Sequence, residues 1–127
     1  MSKPFADLQL LDQVAAREPS FDRWRKGYGV IRHLPDTQQQ VLALAEQLVA
    51  EGTQPDTATV YDMLAGLDRL TSAGLWLVVH MTYAERVRTD GTPLDSHEFK
   101  SHPEGHTGGA LNMVPGYAAY MALNALT

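Results

Sequence analysis

The apolar run across residues 67–88 constrains the fold more than any other feature of this sequence. Within it Leu75, Trp76, Leu77, Val78 and Val79 are consecutive, and taken alone they would also fit a short buried strand. The pattern continues through Met81, Tyr83, Ala84 and Val87 without turn residues, however, and strands seldom extend to about twenty residues. The segment is therefore predicted to be a long helix, opened by Pro55 and Asp56 after the turn GTQPD and buried on most sides. A second helix is predicted upstream, where Val41, Leu42, Leu44, Ala45, Leu48 and Val49 recur at helical spacing. Asp36 is its expected N-cap and Gly52 its expected stop. Residues 1–35 read as short helices joined by turns, with Pro19 and the stretch FDRWRKGYGVIRHLP as landmarks. The fold class expected is mainly α.

At 127 residues with 44% apolar and 20% charged residues, the chain fits one modest globular core. No apolar stretch reaches the roughly 18 residues of a membrane span, and the N-terminus lacks the apolar region and cleavage site of a secretory signal, so a cytoplasmic location is expected. The chain has no cysteine, which removes disulfides, thiolate metal sites and cysteine nucleophiles. A net charge of -5 argues against a nucleic-acid footprint, and the one basic cluster, Arg23, Arg25 and Lys26, reads as a solvated helix face.

Composition changes at Thr89. From there to Asn112 the chain reads TDGTPLDSHEFKSHPEGHTGGALN, too rich in Gly, Pro and Ser for a helix interior. Long loops inside compact domains are usually functional or disordered. This segment is accordingly where chemistry is expected and, standing alone, the least ordered internal part. Beyond it a helix is expected with Asn112 as N-cap and Pro115 in the first turn, carrying Tyr117, Tyr120, Met121, Leu123 and Leu126 as an apolar set without evident partners.

Three histidines fall in the loop. His97 and His102 read as solvated; together with His106 and the interleaved Asp95, Glu98 and Glu104 they offer an alternative, a metal site of unspecific spacing. His80 reads as a core or interface histidine with one hydrogen-bonded nitrogen, and His33 has no interpretable context. His106 differs through its neighbours Gly105, Thr107, Gly108 and Gly109. Glycines on both sides allow positive φ and close approach to a ligand, and an imidazole there can bond a phosphate or sugar oxygen or move a proton. The following helix adds an N-terminal dipole that favours an anion.

The segment EGHTGGALNMVPGYAAYMAL resembles the first signature of transketolase-like enzymes, in which a Gly-His-Pro-Gly stretch precedes small residues, a capping position and an apolar helix. Gly105, His106, Gly108 and Met113 fall on matching positions, and Asn112 falls where that family often has a capping serine. The preceding apolar helix, the turn DGTPL and the connection to GHTGG are similar, more loosely, to the phosphoketolases. Thr107 stands in place of the proline of transketolases and the tryptophan of phosphoketolases, and Gly109 in place of a phosphoketolase threonine that faces the cofactor. Residues 1–50 carry no such resemblance.

The resemblance implies the N-terminal part of an α/β thiamine-diphosphate-binding domain, with residues 1–55 as a helical extension and residues 56–127 as the truncated start of the pyrophosphate-binding domain. It implies, for the parent enzyme, thiamine diphosphate and magnesium as cofactors, a ketose phosphate such as xylulose 5-phosphate as substrate, and a homodimer with active sites between subunits. His106 would be catalytic and touch the cofactor, and Thr107, Gly108 and Gly109 would shape the cofactor-binding loop. The family's Gly-Asp-Gly motif, its metal-ligating asparagine and its activating glutamate lie downstream of this signature. The segment alone is therefore expected to be inert and to pair with the remainder of the chain or a second subunit. The competing expectation is a small helical binding module with a histidine-rich, metal-holding loop.

Overall fold

The architecture follows from where the chain can start and stop a helix. A computed structural model describes residues 6–88, 90, 92–105 and 107–127. Among the described residues the protein is mainly helical, with α1 (Leu8–Arg17), α2 (Pro19–Arg25), α3 (Pro35–Ala50), α4 (Thr57–Tyr83), a 3-10 turn (Ser96–Glu98) and α5 (Thr107–Leu126). No described helix is long and apolar enough to cross a membrane.

Asp7 caps α1, its carboxylate accepting from the Leu10 N–H at 3.0 Å. Pro19 occupies the first turn of α2, where a missing N–H costs nothing. Proline does the same for α3, which corrects the expected start: Pro35 opens the helix, Leu34 holds the cap position, and Asp36 lies inside the first turn. There its charge still complements the helix dipole. Gly52 ends α3 as expected. Its φ of 76° allows the Gly52 N–H to reach Val49 O at 3.0 Å and the Thr53 N–H to reach Leu48 O at 3.0 Å, a Schellman closure. Asp56 then caps α4 through a 2.7 Å bond from the Thr59 N–H, and this bond holds its carboxyl below the usual aspartate range.

The core sits where α1, α2, α3 and the first half of α4 meet the end of α5. Leu11, Phe21, Trp24, Ala45, Leu48, Val60, Tyr61 and Leu126 form one buried cluster. Phe21 is its centre, edge-on to Tyr61 at 5.2 Å and tilted against Trp24 at 5.8 Å, geometries that suit the ring quadrupoles.

The 27 residues of α4 make a rod about 40 Å long, and the residues from 75 to 79 lie within it as helix rather than strand. It pairs with α5 in the most extensive helix contact among the described residues. Gly74 eases this approach, since a Cβ there would lie a tight 3.1 Å from Val114 Cγ1. Burial on most sides was expected for residues 67–88 and is not found. Leu77, Met81 and Val87 are exposed, because α5 covers one side of α4 and no described element covers the other; the helix itself stops at Tyr83.

Two further corrections concern α5. It begins at Thr107, so Asn112 is an interior residue rather than the cap, and Pro115 lies inside the helix rather than in its first turn. Packing against α4 outweighs the poor intrinsic propensity of Gly108 and Gly109, the usual outcome when tertiary contact and propensity disagree. Pro115 forfeits the bond that residue 115 would otherwise give to the Leu111 carbonyl. The helix bears no charged side chain, and Met113, Tyr117, Tyr120 and Leu123 are exposed along it.

Candidate functional site

Between the end of α4 and the start of α5, the described residues are tied to α4 and to one another at several points. Ala84 and Phe99 form an isolated antiparallel bridge, with the Glu85 N–H bonded to Glu98 O at 2.8 Å and the Lys100 N–H to Tyr83 O at 2.7 Å. The Lys100 ammonium donates to Met81 O at 2.8 Å, placing a cation at the negative end of α4. Arg88 clasps the loop from within: its guanidinium donates to Glu98 Oε2 at 2.6 Å and to Thr92 Oγ1 at 3.0 Å and lies 3.6 Å from Asp95 Oδ2. The same Glu98 oxygen accepts the Asp95 N–H at 2.7 Å. Trp76 anchors the strap to α4 by donating from Nε1 to Arg88 O at 3.2 Å.

These bonds set the charge states. The Arg88 guanidinium first, and the Asp95 N–H second, hold the Glu98 carboxyl below its ordinary value of 4.5, and Glu98 in turn keeps Arg88 protonated beyond the usual arginine range. A carboxyl depressed in the folded state stabilises fully above its unfolded value, and that contribution is lost as pH falls through the folded value. The clasp is therefore expected to loosen only in acid. Amide exchange should show the Glu85 and Lys100 N–H groups protected above pH 4.5 and losing protection below it, ahead of Leu48 in the core. Equal loss at all three positions would mean that the loop and the core open together.

At the far end of the strap the chain meets α5. Gly105 has φ 139°, a conformation that side chains rarely adopt, and a Cβ there would lie 3.2 Å from Thr82 Oγ1. Thr82 is itself buried and donates to Val78 O at 3.0 Å, so the junction is seated on the last turns of α4. Thr107, Gly108 and Gly109 form the first turn of α5, and a Cβ on either glycine would meet nothing within 4 Å. Backbone N–H groups of a first helical turn have no intrahelical acceptor and carry the positive end of the dipole, so this turn offers an open approach to an anion. His106, the expected catalytic residue, lies outside the described residues.

His80 lies on the same half of α4. Its ring sits 3.9 Å from that of Trp76, and Nδ1 lies 2.9 Å from Trp76 O, the single bonded nitrogen expected from sequence. Nε2 is buried without a hydrogen-bond partner among the described residues. His97 is exposed on the 3-10 turn and His102 is exposed with Nδ1 3.2 Å from Ser101 Oγ. Among the described residues no group of three His, Asp or Glu side chains is placed to hold a metal ion.

Sequence reasoning missed a second constellation. His33 Nε2 lies 2.6 Å from Asp68 Oδ2, both side chains are 13% exposed, and the imidazole stacks on Trp24 at 4.4 Å. Beside it a cleft of about 260 Å³ is lined by Arg23, Tyr28, Asp62, Gly66, Asp68 and Arg69, with the Arg69 guanidinium 5.4 Å from the Tyr28 ring centre. No local pattern links His33 to Asp68, so no sequence signal could have paired them. The basic cluster beside this cleft is neutralised: Arg23 pairs with Asp62 at 3.0 Å, Arg25 with Asp12 at 2.9 Å, and Lys26 with Asp22 at 2.5 Å.

No protein-family model, no curated protein and no solved structure matches this chain.

Proposed function

We propose that this chain is the N-terminal part of a thiamine-diphosphate-dependent enzyme of the transketolase and phosphoketolase group, acting on ketose phosphates such as xylulose 5-phosphate. The observation that carries the reading is the junction at residues 105–109. A glycine held at φ 139° against Thr82 leads into a helix whose first turn contains two glycines with open space around them, in the register of the Gly-His-x-Gly signature. The uncharged face of α5, with Met113, Tyr117, Tyr120 and Leu123 exposed, is a second support, because it is the kind of surface that a following domain or a second subunit covers.

The residues present fit one edge of the cofactor. Gly108 and Gly109 leave room for an anionic group to approach the first-turn N–H groups, whereas the described residues supply no cluster for a magnesium ion. Bound thiamine diphosphate supplies the carbanion sink for breaking the carbon–carbon bond of the ketose. The task of His106 is to hydrogen-bond the reacting sugar oxygens and to move a proton there. Thr107, Gly108 and Gly109 keep the backbone low beside it. Without the diphosphate clamp and the activating glutamate, residues 1–127 alone are inert, and the working enzyme is a cytoplasmic homodimer.

The test is turnover by the product of the uninterrupted reading frame that contains this segment. Consumption of xylulose 5-phosphate that requires both thiamine diphosphate and magnesium is the expected result. If related ketose phosphates too go unconsumed with both cofactors supplied, the reading fails.

A further inference from the structure

Far from the 105–109 junction, α1, α3 and the start of α4 enclose a cleft of about 350 Å³. Leu10 and Val14 of α1 and Leu42 of α3 give it apolar walls, and Glu18 and Glu46 also line it. Tyr61 lines it from α4. This tyrosine is 2% exposed and its hydroxyl makes no hydrogen bond to the described residues; the oxygen is not among the buried unpartnered atoms, so what accessibility the side chain keeps is at the cleft. Burial first, then the charges of Glu18 and Glu46, push the phenol up to about 12, so the group stays a neutral hydroxyl with lone pairs free to accept. Glu18 accepts the Thr57 hydroxyl at 3.3 and 3.4 Å, bonds long enough to leave carboxylate capacity to spare. Arg17 is the one cation lining the cleft, against two carboxylates. Charge thus favours a cation, and the apolar walls favour one carried on a short alkyl stem.

We infer that this cleft binds a primary alkylammonium group, with the Tyr61 hydroxyl, Glu18 and Glu46 accepting from the ammonium and Leu10, Val14 and Leu42 packing on its methylene stem. An ammonium has three donors and no acceptor, which suits a cleft whose lining includes a hydroxyl and two carboxylates beside apolar walls. A free diamine and a lysine side chain share this chemistry.

Calorimetric titration of the intact protein with cadaverine, with Nα-acetyl-lysine methylamide and with 1-pentanol tests the inference. Saturable binding of at least one amine and none of the alcohol is expected; cadaverine alone points to a free diamine, and the lysine amide alone to a side chain of a polypeptide. Glu46 is exposed and Tyr61→Phe keeps the ring, so the fold should tolerate both changes. Glu46→Gln and Tyr61→Phe are each expected to weaken binding by roughly 3- to 30-fold, the usual effect of losing one ligand hydrogen bond. No saturable amine binding, equal binding of pentanol, or unchanged affinity in both variants would overturn it.

Discussion

Replacing Phe21 with alanine should remove about 3–5 kcal/mol of stability, a large share of the roughly 5–15 kcal/mol typical of a whole domain. The ring is wholly buried and contacts Tyr61 of α4 and Trp24 of its own helix, so its loss opens a cavity at the point where α2 joins α4. The aromatic neighbours are large, one edge-on and one tilted, which limits how far the cavity can collapse. Urea unfolding followed by circular dichroism reads the loss directly, and Phe21→Leu should recover a good part of it. Leu44→Ala is the control, because Leu44 is already 37% exposed on α3 and should cost under about 1 kcal/mol. A Phe21→Ala protein as stable as the Leu44→Ala protein would mean that the buried cluster is not the principal core.

The second large effect concerns catalysis. On the proposed reading, His106→Ala in the product of the uninterrupted reading frame should lower turnover by about 10²–10⁴-fold, the range for a positioned acid–base group. Melting temperature should change by only a few degrees, as expected when a side chain acts in chemistry rather than in packing. His80→Ala should behave in the opposite way. It removes a buried ring that lies tilted against Trp76 and is bonded to the Trp76 carbonyl, so stability falls first and activity follows only through it. Near-normal turnover of His106→Ala at saturating substrate would remove the histidine from the chemistry, whatever the fate of the His80 variant.

The elements that local chemistry defines were legible in the sequence. Gly52 ends α3 because a positive φ is needed there, Asp56 caps α4 because a short carboxylate can reach a first-turn N–H, and residues 75–79 are helical because the pattern around them continues. Asp36 misled because it has the chemistry of a cap, while Pro35 can open a helix only one position earlier. Gly108 and Gly109 misled in the same way: they look like loop, yet α5 begins at Thr107 and includes both. The exposure of Leu77 and Met81 depends on which layers are present, and the meeting of His33 with Asp68 depends on how the connection between α2 and α3 lies on α4. Neither is written in a local pattern. For the junction itself, the glycine requirement at position 105 was legible, but its seat on Thr82 and the strap clasped by Arg88 were not, because they join residues brought together only by the turn after α4.

Whether the segment belongs to a thiamine-diphosphate enzyme is tested most directly by cofactor binding. Two proteins are titrated calorimetrically with thiamine diphosphate in the presence of magnesium: residues 1–127 alone, and the product of the uninterrupted reading frame that contains them. Saturable binding by the reading-frame product, and no saturable heat at micromolar concentration from residues 1–127, is the expected result. A one-to-one isotherm from residues 1–127 alone, or no binding by either protein, would contradict it.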